Sequence, residues 1–332
     1  TVRNFGAEVT CFESDVVQLM PHPLYDPASF GNLNDLLVVS RQEGYMGGLR
    51  LLQATCKRFV EACADLGVVL PNRNFTLRYE TNVPRQVGLA GSSCIVSACF
   101  KALMDFYELD STFDMPKEII PSIVLSVEVQ ELGIHAGLQD RVAQMYEGLV
   151  TMDFDKQFLD ANGFGRYTQI DSLLAGNMLP ELYLAYAMDP SDSGKFHSDI
   201  KQRWAKGDPE VLQAARTWAG LVDQLVDGIN ACANATSEKE KQAATDNFHH
   251  IFASLMDQNF DLRRRLYGDQ CLGWKNLRMV DIAREYKAAA KFPGSGGAIL
   301  VCPRKGHTDV EAMRHAYEAE NFVLIKLDPF LP

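Results

Sequence analysis

The sequence predicts an α+β fold divided into two domains, and three observations carry that expectation. The chain has 332 residues and 47% hydrophobic content, enough to bury a large core and long enough for two domains rather than one. Segments that alternate apolar and polar residues stand apart from stretches in which apolar residues recur every three or four, so strands and helices are segregated. A polar, less regular stretch at about 155–178 separates the halves and sets the domains at 1–170 and 171–332.

The chain opens without a methionine on residues patterned like the middle of a β-region, and further residues are expected ahead of Thr1. Leu49, Leu52, Cys56, Phe59, Val60 and Cys63 recur at helical intervals over 48–66, and Gly67 supplies a C-terminal stop. In "FTLRYET" (75–81), Phe75, Leu77 and Tyr79 share one face and Thr76, Arg78 and Glu80 the other; Pro84 ends this half-buried strand. After the loop "PRQVGLAGSSC" (84–94), Ile95, Ala98, Cys99, Ala102 and Phe106 line one face of a helix that Ser92 or Ser93 can cap. Then come a helix over about 117–132, the segment "GIHAGLQD", a short helix from Asp140 and the apolar strand "GLVTMDF". The second half begins with the strand "ELYLAYAM" and is mostly helical over 195–290. It closes with the strand "GGAILVC", a helix over 307–320 and the strand "NFVLIKL".

A formal charge of −11 with 23% charged residues does not describe a surface built to neutralise nucleic acid. No apolar run reaches the roughly 18–20 residues of a membrane helix, and the first residues carry no signal-peptide core. The eight cysteines (11, 56, 63, 94, 99, 232, 271 and 302) show no C-x-x-C pair and no metal-finger spacing. They read as reduced core residues of a cytoplasmic protein without nucleic-acid or membrane partners.

The loop at 84–94 joins a strand to a helix and concentrates small residues at the helix start. Unpaired N–H groups there sit at the positive end of the helix dipole, so Gly88 and Gly91 suit a phosphate cradle. A tight turn with a serine cap accounts for the same residues. Neither G-x-x-x-x-G-K-[ST] nor G-x-G-x-x-G after a strand occurs.

"PRQVGLAGSSC" resembles the central motif P-x-x-x-G-L-(x)-x-S-S of the GHMP small-molecule kinases, and "KFPGSGGAILVC" resembles their C-terminal glycine motif. The series "EGYMGGLRLL", "PRQVGLAGSS", "GLQDRVAQMYEGLVTMDF", "PSDSGKFHS", "NFDLRRRLYGDQCLG" and "KFPGSGGA", in that order, closely resembles the plant-type glucuronokinases over nearly the whole chain. The resemblance implies a two-domain GHMP-kinase fold with the active site in the inter-domain cleft. It also implies phosphorylation of D-glucuronate at its anomeric hydroxyl, with ATP and Mg²⁺.

By the same resemblance, Gly88, Leu89, Ala90, Gly91, Ser92 and Ser93 wrap the ATP phosphates, with Gly294, Ser295, Gly296 and Gly297 packed beside them. Ser93 and Glu128 are the expected Mg²⁺ ligands, with Glu131 as the alternative, since Mg²⁺ favours hard oxygen donors. Asp140 matches the family's catalytic aspartate; read alone, it would serve equally as a helix N-cap. Lys195 is a candidate contact to sugar or phosphate. A uronate carboxylate calls for a cation, best an arginine whose planar fork binds it in two places. Arg141 or one of Arg263, Arg264 and Arg265 is expected to supply it, although three consecutive helical residues cannot all share one face. The family's first motif, part of the sugar site, is expected ahead of Thr1; a relative lacking it would keep the fold as a binding module.

Overall fold

The computed structural model describes residues 1–27, 29–43, 47–85, 87–170, 178–187 and 200–330. They form two compact units. Among the described residues, one holds Thr1–Val83 and Ala90–Ile170; the other holds the loop within Pro84–Leu89 and residues 178–187 and 200–330. The six loop residues Pro84–Leu89, expected in the first domain, thus cluster with the second unit, where Gly88 packs on the backbone of Gly296.

In chain order the first unit contains β1 (Ala7–Glu13), β2 (Gln18–Leu19), α1 (Leu33–Glu43), α2 (Gly48–Asp65), β3 (Phe75–Thr81) and α3 (Gly91–Phe106). It continues with α4 (Ile120–Ser126), α5 (Leu138–Tyr146), β4 (Val150–Asp153), α6 (Lys156–Asn162) and β5 (Arg166–Gln169). The first sheet has the order β1-β3-β2, with β1 antiparallel to β3 so that Val9 faces Tyr79 and Cys11 faces Leu77. The alternation of β3 holds except at Thr76, which was expected on the polar face but is buried, its hydroxyl donating to that of Ser14 at 3.0 Å. Phe75, Leu77 and Tyr79 point into the core, whereas Arg78 and Glu80 are exposed. Leu52, Phe59 and Cys63 of α2 meet Val96, Phe100 and Leu103 of α3 in the same core. The Phe59 ring meets Phe100 edge-on at 5.3 Å. Each such buried apolar side chain contributes about 1.5–3 kcal/mol.

Two expectations in this unit need correction. The stretch from 155 is not irregular: Asp155 accepts from the Phe158 N–H and caps α6, left-handed Gly163 ends it, and β5 follows to pair antiparallel with β4. These elements are polar and only partly buried, so they lack the apolar periodicity by which helices and strands are read. The helix expected over 117–132 is shorter. It begins at Ile120 and passes after Ser126 into a π turn spanning Val127–Glu131.

The second unit contains β6 (Tyr183–Ala187), α7 (Ile200–Ala205), α8 (Pro209–Asn234), α9 (Glu238–Tyr267), α10 (Asp269–Leu272) and α11 (Trp274–Glu285). After these come β7 (Ala289–Lys291), β8 (Ala298–Cys302), α12 (Val310–Ala319) and β9 (Phe322–Lys326). Its sheet is antiparallel with the order β7-β8-β6-β9. The two long helices are capped by sequence signals. Asp208 accepts from two first-turn N–H groups of α8, and Ser237 with Glu240 makes a reciprocal capping box at α9. Phe260, Met279, Ile282, Ile299, Val301 and Tyr317 form the core between helices and sheet. No helix among the described residues is long and apolar enough to cross a membrane. All eight cysteines are free thiols.

Candidate active site

In the second unit the two glycine motifs interlock through bare backbone. Gly88 has φ +71°, and a Cβ built on it would stand 2.1 Å from the carbonyl oxygen of Gly296. A Cβ on Gly294 would stand 2.9 Å from the carbonyl oxygen of Gly88. Both approaches exclude any side chain, and the left-handed backbone at Gly88 adds a steric penalty for any residue but glycine. Gly91 is different. Its Cβ would meet Val83 at 3.5 Å, an ordinary contact, so the strict requirement falls on Gly88.

Two side chains hold the second motif. Asn276, buried on α11, accepts from the Gly297 N–H at 3.0 Å and donates to the Leu272 carbonyl at 2.8 Å. Arg263 on α9 donates to the carbonyls of Gly294 at 2.8 Å and Ser295 at 3.4 Å, while its guanidinium stacks 4.7 Å from the Phe292 ring centroid. Arg264 pairs instead with Asp269 through two bonds of 2.6 and 2.7 Å, and Arg265 is exposed. Of the three arginines, Arg263 is the one bonded to the glycine motif.

In the first unit, α3 starts from Ala90, a left-handed residue with φ 57° and ψ 36° and no side-chain cap on the helix. Neither serine caps, contrary to expectation. Ser93 turns its hydroxyl back to donate to the Ala90 carbonyl at 2.8 Å, and Ser92 donates to the Glu128 carboxylate at 2.7 Å. The N–H groups of the first turn of α3 have no partner within the helix.

Glu128 lies in the π turn, fully buried, with one oxygen accepting from Ser92 and the other from the Arg141 guanidinium. A π turn inserts one residue into the helical ladder, and such insertions concentrate at functional sites. Here the turn carries Glu128 at the point where α4 would otherwise have continued in regular steps. Glu131 turns away to pair with Lys57 of α2 at 2.6 Å. Arg141 is itself buried: it also donates to the Gly137 carbonyl at 3.0 Å and approaches Asp140 at 3.3 Å. Its guanidinium is thus bonded to Glu128 and Asp140.

Asp140 stands at the third position of α5, because the helix begins two residues earlier than the sequence pattern indicates, at Leu138. The N-cap is Gly137. That placement removes the capping role from Asp140 and leaves its side chain half exposed. Partial burial raises its pKa above the usual aspartate value; Arg141 pulls it down, and Glu128 adds a smaller upward push. One turn later on α5, Gln144 donates to the Ser93 hydroxyl at 2.8 Å and accepts from Ser97 at 2.8 Å, tying the helix of Asp140 to the helix of the serine pair. Its i, i+4 spacing from Asp140 was the available signal. Asn276 had none in the sequence.

The oxygen donors beside Glu128 suit Mg²⁺. The Ser92 hydroxyl and a Glu128 oxygen are 2.7 Å apart, near the roughly 2.9 Å between adjacent ligands of an octahedron with bonds of about 2.1 Å. The hydroxyl concerned is that of Ser92, since Ser93 faces Ala90 and Gln144. No group of three His, Cys, Asp or Glu side chains with metal-binding geometry occurs among the described residues, so water and phosphate would have to complete the shell. Lys195 lies outside the described residues.

Comparison with known proteins agrees on one family. The model of the GHMP kinases N terminal domain matches residues 50–148. Glucuronokinase 1 of Arabidopsis thaliana is 42% identical over 331 residues, covering 99% of this chain and 85% of that protein. Probable glucuronokinase 2 of the same plant is 42% identical over 332 residues with the same coverage. Among solved structures, the mevalonate kinase of Methanococcus jannaschii matches with a TM-score of 0.59 at 16% identity, over 98% of this chain and 88% of that one. The Lin0012 protein of Listeria innocua matches with a TM-score of 0.68 at 14% identity, over 98% of this chain and 89% of that one. At these identities the two structures speak for the fold alone.

Proposed function

The chain belongs to the GHMP kinase family, and we propose that it transfers the γ-phosphoryl group of ATP to the anomeric hydroxyl of D-glucuronate, giving ADP and D-glucuronate 1-phosphate. The observation that carries the substrate is the 42% identity to a glucuronokinase across 99% of the chain. The site chemistry supports the reaction type. The anomeric oxygen attacks the γ-phosphorus, the bond to the β,γ-bridging oxygen breaks, and the hydroxyl proton passes to the Asp140 carboxylate. Phosphoryl transfer asks a protein mainly to position groups and balance charge. In this reading Asp140 orients the hydroxyl, the N–H groups at the start of α3 take phosphate oxygens, and the interlocked Gly88 and Gly296 keep their loop free of side chains. Glu128 and Ser92 would hold Mg²⁺, which when bound neutralises phosphate charge. We place the reaction in the cytoplasm, where ATP is available and the eight thiols stay reduced.

Assay of the purified full chain with ATP and Mg²⁺ against D-glucuronate, D-galacturonate, D-glucose and D-galactose tests the assignment, with the product identified by phosphorus NMR. Glucuronate should exceed the neutral sugars in kcat/KM by roughly 10² or more, because a site that pairs a carboxylate leaves its cation unsatisfied when a neutral sugar binds. Preference for a neutral sugar overturns the substrate.

The nucleotide part has its own check. Gly88→Ala should raise the KM for ATP about tenfold or more, since a Cβ there must displace the Gly296 backbone and occupy a left-handed conformation. Gly91→Ala should stay within about twofold, because its Cβ meets only Val83. Equal effects at the two glycines would remove the interlocked backbone from nucleotide binding.

A further inference from the structure

Lys291, the last residue of β7, immediately precedes the loop that carries Gly294–Gly297. Its ammonium donates to the Phe292 carbonyl at 2.8 Å. Among the described residues no carboxylate lies within 4.0 Å of it, and the charge that bears on it most is a second cation, Arg263. The two side chains converge on one short segment: Lys291 bonds Phe292, and Arg263 stacks on the Phe292 ring and bonds Gly294. The acid nearest in sequence contact is otherwise engaged. Asp257 of α9 accepts from the Ala290 N–H, but pairs with Arg284 of α11 and Arg304 after β8. Two neighbouring half-buried cations beside a bare-backbone loop, with no carboxylate within 4.0 Å of Lys291 among the described residues, are an arrangement that an anion would stabilise.

We propose that Lys291 and Arg263 form a binding site for an anionic oxygen group of a bound substrate, the uronate carboxylate being the occupant expected. The identity of the occupant rests on the glucuronate reading; the site itself does not. An arginine fork and an ammonium together satisfy both oxygens of a carboxylate. Desolvation first and the charge of Arg263 second together lower the Lys291 pKa to about 8. The sign follows. Below that pH the folded protein carries a partly desolvated cation, a cost relieved as pH rises through about 8 toward the ordinary lysine value, and relieved at neutral pH by an anion. Anion affinity should therefore weaken above pH 8.

The test compares the full chain with Lys291→Met and Lys291→Arg, by steady-state kinetics, by calorimetric titration with D-glucuronate and with ATP, and by thermal unfolding without ligand. Lys291→Met should raise the KM and Kd for glucuronate about 30-fold or more, leave those for ATP within about threefold, and abolish the weakening above pH 8. Its Tm should hold or rise, because a partly desolvated charge is removed, whereas a purely structural lysine would lower Tm on losing its bond to Phe292. Lys291→Arg should retain much of the affinity. A rise confined to ATP supports the anion site and assigns it to nucleotide phosphate. Unchanged affinity for both ligands, or a lowered Tm with unchanged affinity, overturns the proposal. A wild-type chain that neither binds nor phosphorylates glucuronate would instead overturn the substrate reading, and the ATP arm would still decide the site.

Discussion

Asp140→Asn in the full chain lowers kcat by roughly 10² to 10⁴, the usual contribution of a positioned general base, while ATP affinity and Tm hold. Asn has the shape of Asp and can still orient the sugar hydroxyl, but it cannot take the proton as the phosphorus–oxygen bond forms. Stability should not fall, for a reason set by sign. The pKa of Asp140 is raised in the folded protein, so above it the ionised carboxylate is held in surroundings that favour the neutral form, and a neutral Asn avoids that cost. The same shift gives a second readout: the acid limb of kcat/KM in the wild type should lie above the ordinary aspartate range and be missing from the residual activity of the variant. Helix capping no longer competes as an explanation, since Gly137 is the N-cap and Asp140 lies inside the first turn. A variant with near-normal turnover and an unshifted acid limb would show that another group accepts the proton.

Much of this arrangement was legible in the sequence, for reasons that also mark where legibility ends. The strand at 75–81 and the helix from Gly48 could be read because one face of each is buried and that burial imposes its period on the residue types. Gly88 and Gly294 could be read because close backbone approach admits glycine alone. The π turn at Glu128 could not: a one-residue insertion leaves no mark on composition and only shifts phase over a few residues. Ser93 was expected beside Glu128 from the family resemblance, and which serine faces Glu128 is again a matter of phase. The two serines are about 100° apart around α3, and their direction depends on a start at left-handed Ala90 that no residue type announces. Lys291 was hidden for another reason. A three-residue edge strand is too short to show alternation, and a lysine at its end reads as a solvated charge, whereas the fold half-buries it beside Arg263.

Glu128→Gln should cost about 3–5 kcal/mol of stability, because it leaves the Arg141 guanidinium buried beside a neutral amide. In a protein of this size that corresponds to a fall in Tm of about 4–7 °C, measurable by calorimetry. Activity should fall as well, but loss of activity in a destabilised variant does not distinguish a catalytic site from a scaffold. The pair Glu128 and Arg141 makes the separation possible. Arg141→Met alone leaves the carboxylate buried without its cation and should also destabilise. In the double variant Glu128→Gln/Arg141→Met the uncompensated charge is gone, so most of the lost stability should return, with a coupling energy of about 1–3 kcal/mol or more from the double-mutant cycle. Turnover should not return with it. If Glu128 and the Ser92 hydroxyl 2.7 Å away hold Mg²⁺, the amide of Gln supplies a weaker donor and no charge, and kcat/KM should stay down by about 10² or more at every stability the cycle samples. The concentration of Mg²⁺ at half-maximal rate should rise in parallel. Recovery of turnover together with stability in the double variant would make Glu128 the counter-ion of Arg141 and nothing more, and would move the metal to other oxygens.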